Sequence, residues 1–242
     1  MKDPDFALGQ CEAGPGDPPK AASAGDPLRT EAFLASLRSP HPEGLCSYGR
    51  EALSLKVPII REGTADVLRT LLCLSRPHSL LEVGTGTGYS SLVLLSYAPE
   101  GALLTTIEKD EERAALAREA FVRFGRQEQV RLLVGDATRI LEGLTGSFDF
   151  VFMDAAKGQY AFWLPAVLSL MHPGSVLISD NVFLGGDIFS SRYLLPHRDR
   201  TMHGRMREYL RALYQEERLV TSVLPVGDGL AVSVWKEGAG NV

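Results

Sequence analysis

Ser79-Leu80-Leu81-Glu82-Val83-Gly84-Thr85-Gly86-Thr87-Gly88 decides how the chain is read. Five residues that are mostly apolar run straight into three alternating glycines. A short apolar run bounded by glycine reads as a buried strand. The glycines let the backbone turn sharply and come close to a ligand. The spacing is G-x-G-x-G, not the G-x-G-x-x-G of a dinucleotide fold, which weakens a pyrophosphate reading. Taken alone, the loop is equally a tight strand-to-helix turn.

Downstream, strand and helix patterns alternate. Strands are expected at Leu103–Ile107, Val130–Val134, Phe148–Met153 and Ser175–Ser179. Helices are expected over Glu111–Phe124, where Ala117, Phe121 and Phe124 share a face, and over Phe162–Met171. Strands that are apolar on both faces and alternate with helices form a parallel sheet covered on both sides. Met206, Tyr209, Leu210 and Leu213 mark a further helix. Leu219–Leu224 and Leu230–Trp235 follow, joined only by Pro225-Val226-Gly227-Asp228-Gly229. That link is too short for a crossover, so the last two strands pair antiparallel. The expected fold is α/β: a Rossmann-like, doubly wound, seven-stranded sheet, mostly parallel, with a C-terminal antiparallel hairpin.

Upstream, helical patterns fall at about Ser47–Leu55 and Glu62–Ser75. Thr30 is the expected N-cap of a helix carrying Phe33, Leu34 and Leu37. Residues 1–27 are rich in Pro, Gly, Ala and Asp without apolar periodicity and read as a disordered tail. The folded domain is expected over residues 28–238. The chain has 242 residues and a formal net charge of −5, which neither demands nor forbids an anionic partner. Its three cysteines, Cys11, Cys46 and Cys73, form no C-x-x-C pair, so a disulfide framework or zinc site is not expected. No apolar run reaches membrane-spanning length and no secretory signal pattern opens the chain, so a cytoplasmic protein is expected.

The chemistry gathers at strand ends. Glu82 stands beside the glycine loop, Glu108 closes the second strand, and Asp136 follows the third in Gly135-Asp136-Ala137. A carboxylate in the position of Glu108 accepts the hydroxyls of a ribose. Parallel strands present their carboxyl ends to one crevice, so the three acids favour an adenosine ligand that carries a positive group. The fourth strand ends in Asp154-Ala155-Ala156-Lys157-Gly158-Gln159-Tyr160 and the fifth in Asp180-Asn181. Two carboxylates and an amide oxygen are a hard-oxygen set for Mg²⁺ or a similar ion. Lys157, beside such an ion and a cationic ligand, is the candidate base.

Glu82-Val83-Gly84, Glu108, Gly135-Asp136-Ala137, Asp154-Ala155-Ala156-Lys157, Asp180-Asn181 and Gly227-Asp228-Gly229-Leu230, in this order, resemble the cation-dependent class I O-methyltransferases. That family includes the catechol and caffeoyl-CoA enzymes. The resemblance runs from about Leu53 to Trp235. It implies S-adenosylmethionine (SAM) as methyl donor, held by Val57, Glu82, Gly84, Thr85, Gly86, Tyr89, Ser90, Glu108, Asp136, Ala137 and Asp154. It implies Mg²⁺ or Mn²⁺ on Asp154, Asp180 and Asn181, with Asp154 and Lys157 catalytic. Within the family, Asp154–Tyr160 is most similar to the bacterial tRNA 5-hydroxyuridine methyltransferases, and the family's Val-Pro-Ile segment recurs as Val57-Pro58-Ile59. Small-molecule members more often carry an acid where this chain has Ala156. The basic helix before the hairpin reads Arg207-Glu208-Tyr209-Leu210, where the tRNA enzymes often have Phe-Asn.

Arg192, Arg198, Arg200, Arg205, Arg207 and Arg211 fall close together, with His197 and His203 among them. Such a strip addresses phosphates or is a solvated face with local ion pairs. Phe183-Leu184-Gly185-Gly186 is a lid, or a platform on which a base stacks. The expected acceptor is a tRNA anticodon loop, with a small catechol-like phenol as the alternative. A non-catalytic SAM- or RNA-binding module is the reading from another class. The expected assembly is a homodimer.

Overall fold

A computed structural model describes residues 27–38, 41–54 and 56–238, in two compact units divided between His41 and Pro42. The first unit contains helix α1 (Pro27–Leu37). Thr30 is therefore not an N-cap: the helix already runs at Pro27, a residue whose fixed φ suits a first turn. The expected tail otherwise lies outside the described residues.

In the second unit, α2 (Leu45–Ser54) and α3 (Glu62–Ser75) precede the sheet. The strands are β1 (Ser79–Val83), β2 (Leu103–Glu108), β3 (Val130–Val134), β4 (Phe150–Met153), β5 (Val176–Asp180), β6 (Leu219–Leu224) and β7 (Leu230–Trp235). Between them lie α4 (Tyr89–Tyr97), α5 (Glu111–Arg123), α6 (Ala137–Gly143), α7 (Tyr160–Ser169) and α8 (Arg200–Gln215). The sheet order is β3-β2-β1-β4-β5-β7-β6. Strands β1 to β5 pair in parallel, and β7 runs antiparallel to both β5 and β6.

The alternation of side chains along the strands feeds two cores. Leu80, Leu104, Phe150, Phe152 and Ile178 pack beneath α2 to α5. Leu81, Val83, Val151, Met153 and Leu177 pack on the other face, against α6 to α8. Two helices, α4 and α6, have no counterpart in the expectations. Helix α4 has seven buried residues of nine, so it shows no amphipathic period to read. Helix α6 is only seven residues long. No helix among the described residues is long and apolar enough to cross a membrane.

The order switches direction between β1 and β4. At such a point the carboxyl ends of parallel strands open a crevice, and the cavity lies there.

Candidate active site

A cavity of about 660 Å³ is lined by the loops after β1, β2, β3, β4 and β5 and by the 57–61 segment. That volume suits a cofactor-sized ligand. Val57, Gly84, Thr85, Gly86, Tyr89, Ser90, Glu108, Asp136, Ala137, Asp154, Lys157, Asp180 and Asn181 all line it. Of the expected site residues only Glu82 does not.

The glycine loop is built for close approach. Gly84 has φ 105°, and a Cβ there would fall 2.1 Å from the Asp154 carbonyl oxygen. Gly84 therefore lets the β1 loop lie directly on the β4 loop. The Gly84 and Thr85 amides both donate to the Ile107 carbonyl, at 3.0 and 3.2 Å. Glu108 is buried and accepts from the Gly86 amide at 2.8 Å and the Asp110 amide at 2.9 Å. It thus fixes the loop before any ligand arrives, and it keeps lone pairs for hydroxyl donors.

Glu82 differs from expectation. Its side chain is fully buried behind the loop, where Thr106 Oγ1 donates to it at 2.6 Å and Ser91 Oγ also donates. Oε1 has no hydrogen-bond partner. Burial, only partly offset by the Ser90, Ser91 and Thr106 hydroxyls, pushes its pKa up to about 7. It braces the loop from beneath and is not part of the cavity wall, since it lies on the Glu108 face of the sheet but deeper along β1, enclosed by Thr106 and Ser91. Asp136 faces the cavity, but its carboxylate is engaged. It accepts from Lys109 Nζ at 3.0 Å and caps α6 through the Thr138 amide at 3.0 Å. Those bonds, led by Lys109, lower its pKa.

Beside the glycine loop lie the catalytic candidates. Lys157 Nζ is 2.5 Å from Asp154 Oδ1 and 3.4 Å from the Tyr160 hydroxyl. The Tyr160 hydroxyl is buried and donates to the Met153 carbonyl at 2.9 Å. Asp180 is buried and accepts from the Asn181 amide at 2.8 Å and from Thr64 Oγ1 at 3.5 Å. Burial first, then the charge of Asp154, raises the Asp180 pKa to about 6. Asn181 holds a left-handed backbone, φ 56°, as it leaves β5, a conformation asparagine tolerates. Among the described residues no cluster of three or more His, Cys, Asp or Glu side chains is set for a metal. The candidate set is two carboxylates and an amide.

The basic strip divides. Arg200 donates to the Leu195 and Tyr193 carbonyls, and Arg205 to Gly158 O. His203 is buried, with neither ring nitrogen hydrogen-bonded. Arg207 and Arg211 sit one turn apart on the exposed side of α8. The Phe183–Gly186 segment is tied down: Asp228 accepts the Gly185 amide on both oxygens at 2.9 Å, and Phe183 packs on Phe189 with centroids 4.8 Å apart. It does not line the cavity.

Residues without an earlier signal also appear. Trp163 reaches the cavity from α7, with Nε1 donating to Thr138 Oγ1 at 3.0 Å. Arg61 lines the mouth and donates to the Gly227 carbonyl at 3.3 Å. Thr64 supports Asp180 from α3. Trp163 and Thr64 sit on helices whose apolar pattern explains them as core, and only the fold brings Trp163 to the crevice and Thr64 against Asp180.

The sheet order, the glycine crevice and the acids at successive strand ends define a Rossmann-like methyltransferase. The chain belongs to the O-methyltransferase family, which it matches over residues 50–236. It is similar to a catechol O-methyltransferase of Niastella koreensis, 33% identical over 170 residues that cover 69% of this chain and 72% of the relative. The crystal structure of the O-methyltransferase TomG of Streptomyces achromogenes, involved in tomaymycin synthesis and bound to SAM, superposes with a TM-score of 0.75. That match is 25% identical and covers 86% of this chain and 96% of TomG. The Bacillus cereus O-methyltransferase bound to S-adenosylhomocysteine shares the fold, with a TM-score of 0.76, 23% identity, and 86% and 97% coverage. The protein is a SAM-dependent O-methyltransferase, and the reading as a non-catalytic module falls away.

Proposed function

We propose that the enzyme depends on a divalent cation and methylates the 5-hydroxyl of wobble 5-hydroxyuridine in tRNA, giving 5-methoxyuridine. The observation that carries the chemistry is that Asp154, Lys157, Asp180 and Gly84 line one cavity, with Lys157 Nζ on the Asp154 carboxylate and Gly84 packed on the Asp154 carbonyl. The glycine that lets two loops touch fits a cofactor whose methyl must meet these side chains.

The donor set fits Mg²⁺ or Mn²⁺ through Asp154, Asp180 and Asn181. Hard oxygens are what these ions take. Asp180 is buried beside a second acid, a charge arrangement that a cation relieves. When bound, the ion supplies Lewis acidity that makes the acceptor hydroxyl easier to ionise. Lys157, in its neutral amine form, takes the hydroxyl proton at Nζ, the ammonium that donates to Asp154 having first lost a proton to solvent. Tyr160 supports that amine from below. Glu108 holds the ribose hydroxyls and fixes the loop through Gly86.

For the acceptor, support comes from the Asp154–Tyr160 resemblance and from Arg207 and Arg211 on the open face of α8. Arginines at such a surface meet phosphates. An anticodon loop offers unstacked bases that enter a pocket without melting a helix. A catechol-like phenol is the second reading, favoured by the name of the Niastella koreensis relative. Mass analysis of wobble nucleosides in tRNA from a deletion strain tests the proposal. Loss of 5-methoxyuridine with accumulation of 5-hydroxyuridine is expected, and an unchanged nucleoside profile contradicts it.

A further inference from the structure

Arg205 stands apart from the other arginines of α8. Its Nη1 donates to the Gly158 carbonyl at 3.3 Å. Its guanidinium lies 5.1 Å from the centroid of the Phe162 ring, within the range of a cation–π contact. A Cβ on Gly158 would sit 3.8 Å from Arg205 Nη1 and 3.9 Å from Cδ, so the side chain lies along the backbone there. Gly158 is the middle residue of the short 3₁₀ turn Lys157–Gln159. Phe162 lies in the first turn of α7, which begins at Tyr160. One planar cation on α8 therefore holds both the turn that carries Lys157 and the helix that follows it.

On its inner side the turn is fixed by the Tyr160 amide, which donates to the Lys157 carbonyl, and by the buried Tyr160 ring against Tyr209. Gln159 N donates to the Ala156 carbonyl at 2.9 Å, and Lys157 Nζ meets Asp154 and Tyr160 from within the site. Arg205 supplies the outer restraint. We propose that Arg205 is a positioning residue: it clamps the 157–159 turn from outside and so sets where Lys157 Nζ lies relative to the acceptor. The inference rests on the reading of Lys157 as the base. It gives Arg205 a role that needs no phosphate. It also makes Arg to Lys non-conservative here, since an ammonium reaches one carbonyl but lacks the flat face that covers Phe162.

The test is a double-mutant cycle with Arg205→Met and Lys157→Met, using whichever acceptor the enzyme turns over, together with hydrogen exchange of the ligand-free proteins. Arg205→Met is expected to lower kcat roughly tenfold or more, as displaced catalytic groups do. The KM values for SAM and acceptor are expected to stay within about twofold, since Arg205 does not line the cavity. Amides 157–160 are expected to exchange faster, with the rest of the sheet unchanged. In the Lys157→Met background the second substitution is expected to cost nothing more, because residues acting as one unit are not additive. Arg205→Lys is expected to fall between, and it carries the cycle if Arg205→Met does not fold. Equal losses in both backgrounds overturn the inference while leaving Lys157 as the base. So does a raised acceptor KM with unchanged kcat, which makes Arg205 an acceptor contact. Wild-type turnover by Lys157→Met alone overturns the reading of Lys157, and the inference with it.

Discussion

Gly84 and Asp154, seventy residues apart in sequence, touch: a Cβ on Gly84 would lie 2.1 Å from the Asp154 carbonyl. The cofactor loop and the catalytic loop are thus one packed unit. Gly84→Ala has to displace backbone, and it adopts φ 105° at a further cost of about 1–3 kcal/mol. The expected result is lower stability in urea and SAM affinity reduced by an order of magnitude or more. Calorimetry showing wild-type SAM affinity would contradict the close packing.

Glu82 makes stability depend on pH. Its carboxyl is raised from 4.5 to about 7 by burial, so the folded state disfavours the ionised form. The penalty is absent below about pH 4.5, grows as pH rises, and is complete above about pH 7. Its full size is roughly 3 kcal/mol, at about 1.4 kcal/mol per pKa unit. Glu82→Gln should therefore gain on the wild type between pH 5 and pH 8. Urea unfolding at both pH values checks this; a difference that does not change with pH would exclude it.

Glu108 holds two backbone amides and faces the cavity. Glu108→Ala is expected to cost about 1–3 kcal/mol of SAM binding, because the Gly86 amide and the ribose hydroxyls lose their acceptor. Titration calorimetry reads this as a Kd raised roughly five- to 150-fold. An unchanged Kd would remove Glu108 from the site.

Metal removal separates cofactor binding from turnover. EDTA is expected to abolish turnover while SAM affinity stays within a few-fold, since Glu108 and the glycine loop do not share the proposed metal donors. Added Mg²⁺ or Mn²⁺ should restore turnover, and Asp180→Asn should resist that rescue. Full turnover in EDTA would remove the ion from the mechanism.

The parallel sheet, its hairpin and the acids at its strand ends were legible because each rests on local pattern: apolar runs, glycines and a five-residue link. Helix α4 was not, since a helix buried all round has no period. Glu82 shows the limit of counting acids. It shares a sheet face with Glu108, since Glu82 pairs with Thr106, but it lies one step back from the strand ends, where Thr106 and Ser91 enclose it, while Glu108, the last residue of β2, reaches the cavity. Trp163, Thr64 and Arg61 come to the site only through the packing of α7 and α3. The arginine strip read as one feature, yet Arg200 gives two donors and Arg205 one to carbonyls of their own chain.

The central claim is transfer of the SAM methyl to a hydroxyl oxygen held between Lys157 and the two acids. The direct measurement follows labelled methyl from SAM, with Mg²⁺, to tRNA carrying 5-hydroxyuridine and, in parallel, to a catechol panel. Label is expected on the 5-oxygen of the wobble base, reduced by added salt and by Arg207→Glu with Arg211→Glu, and lowered ~10²–10⁴-fold by Lys157→Met. Label on catechols alone, or tRNA methylation at wild-type rate in Lys157→Met, would contradict it.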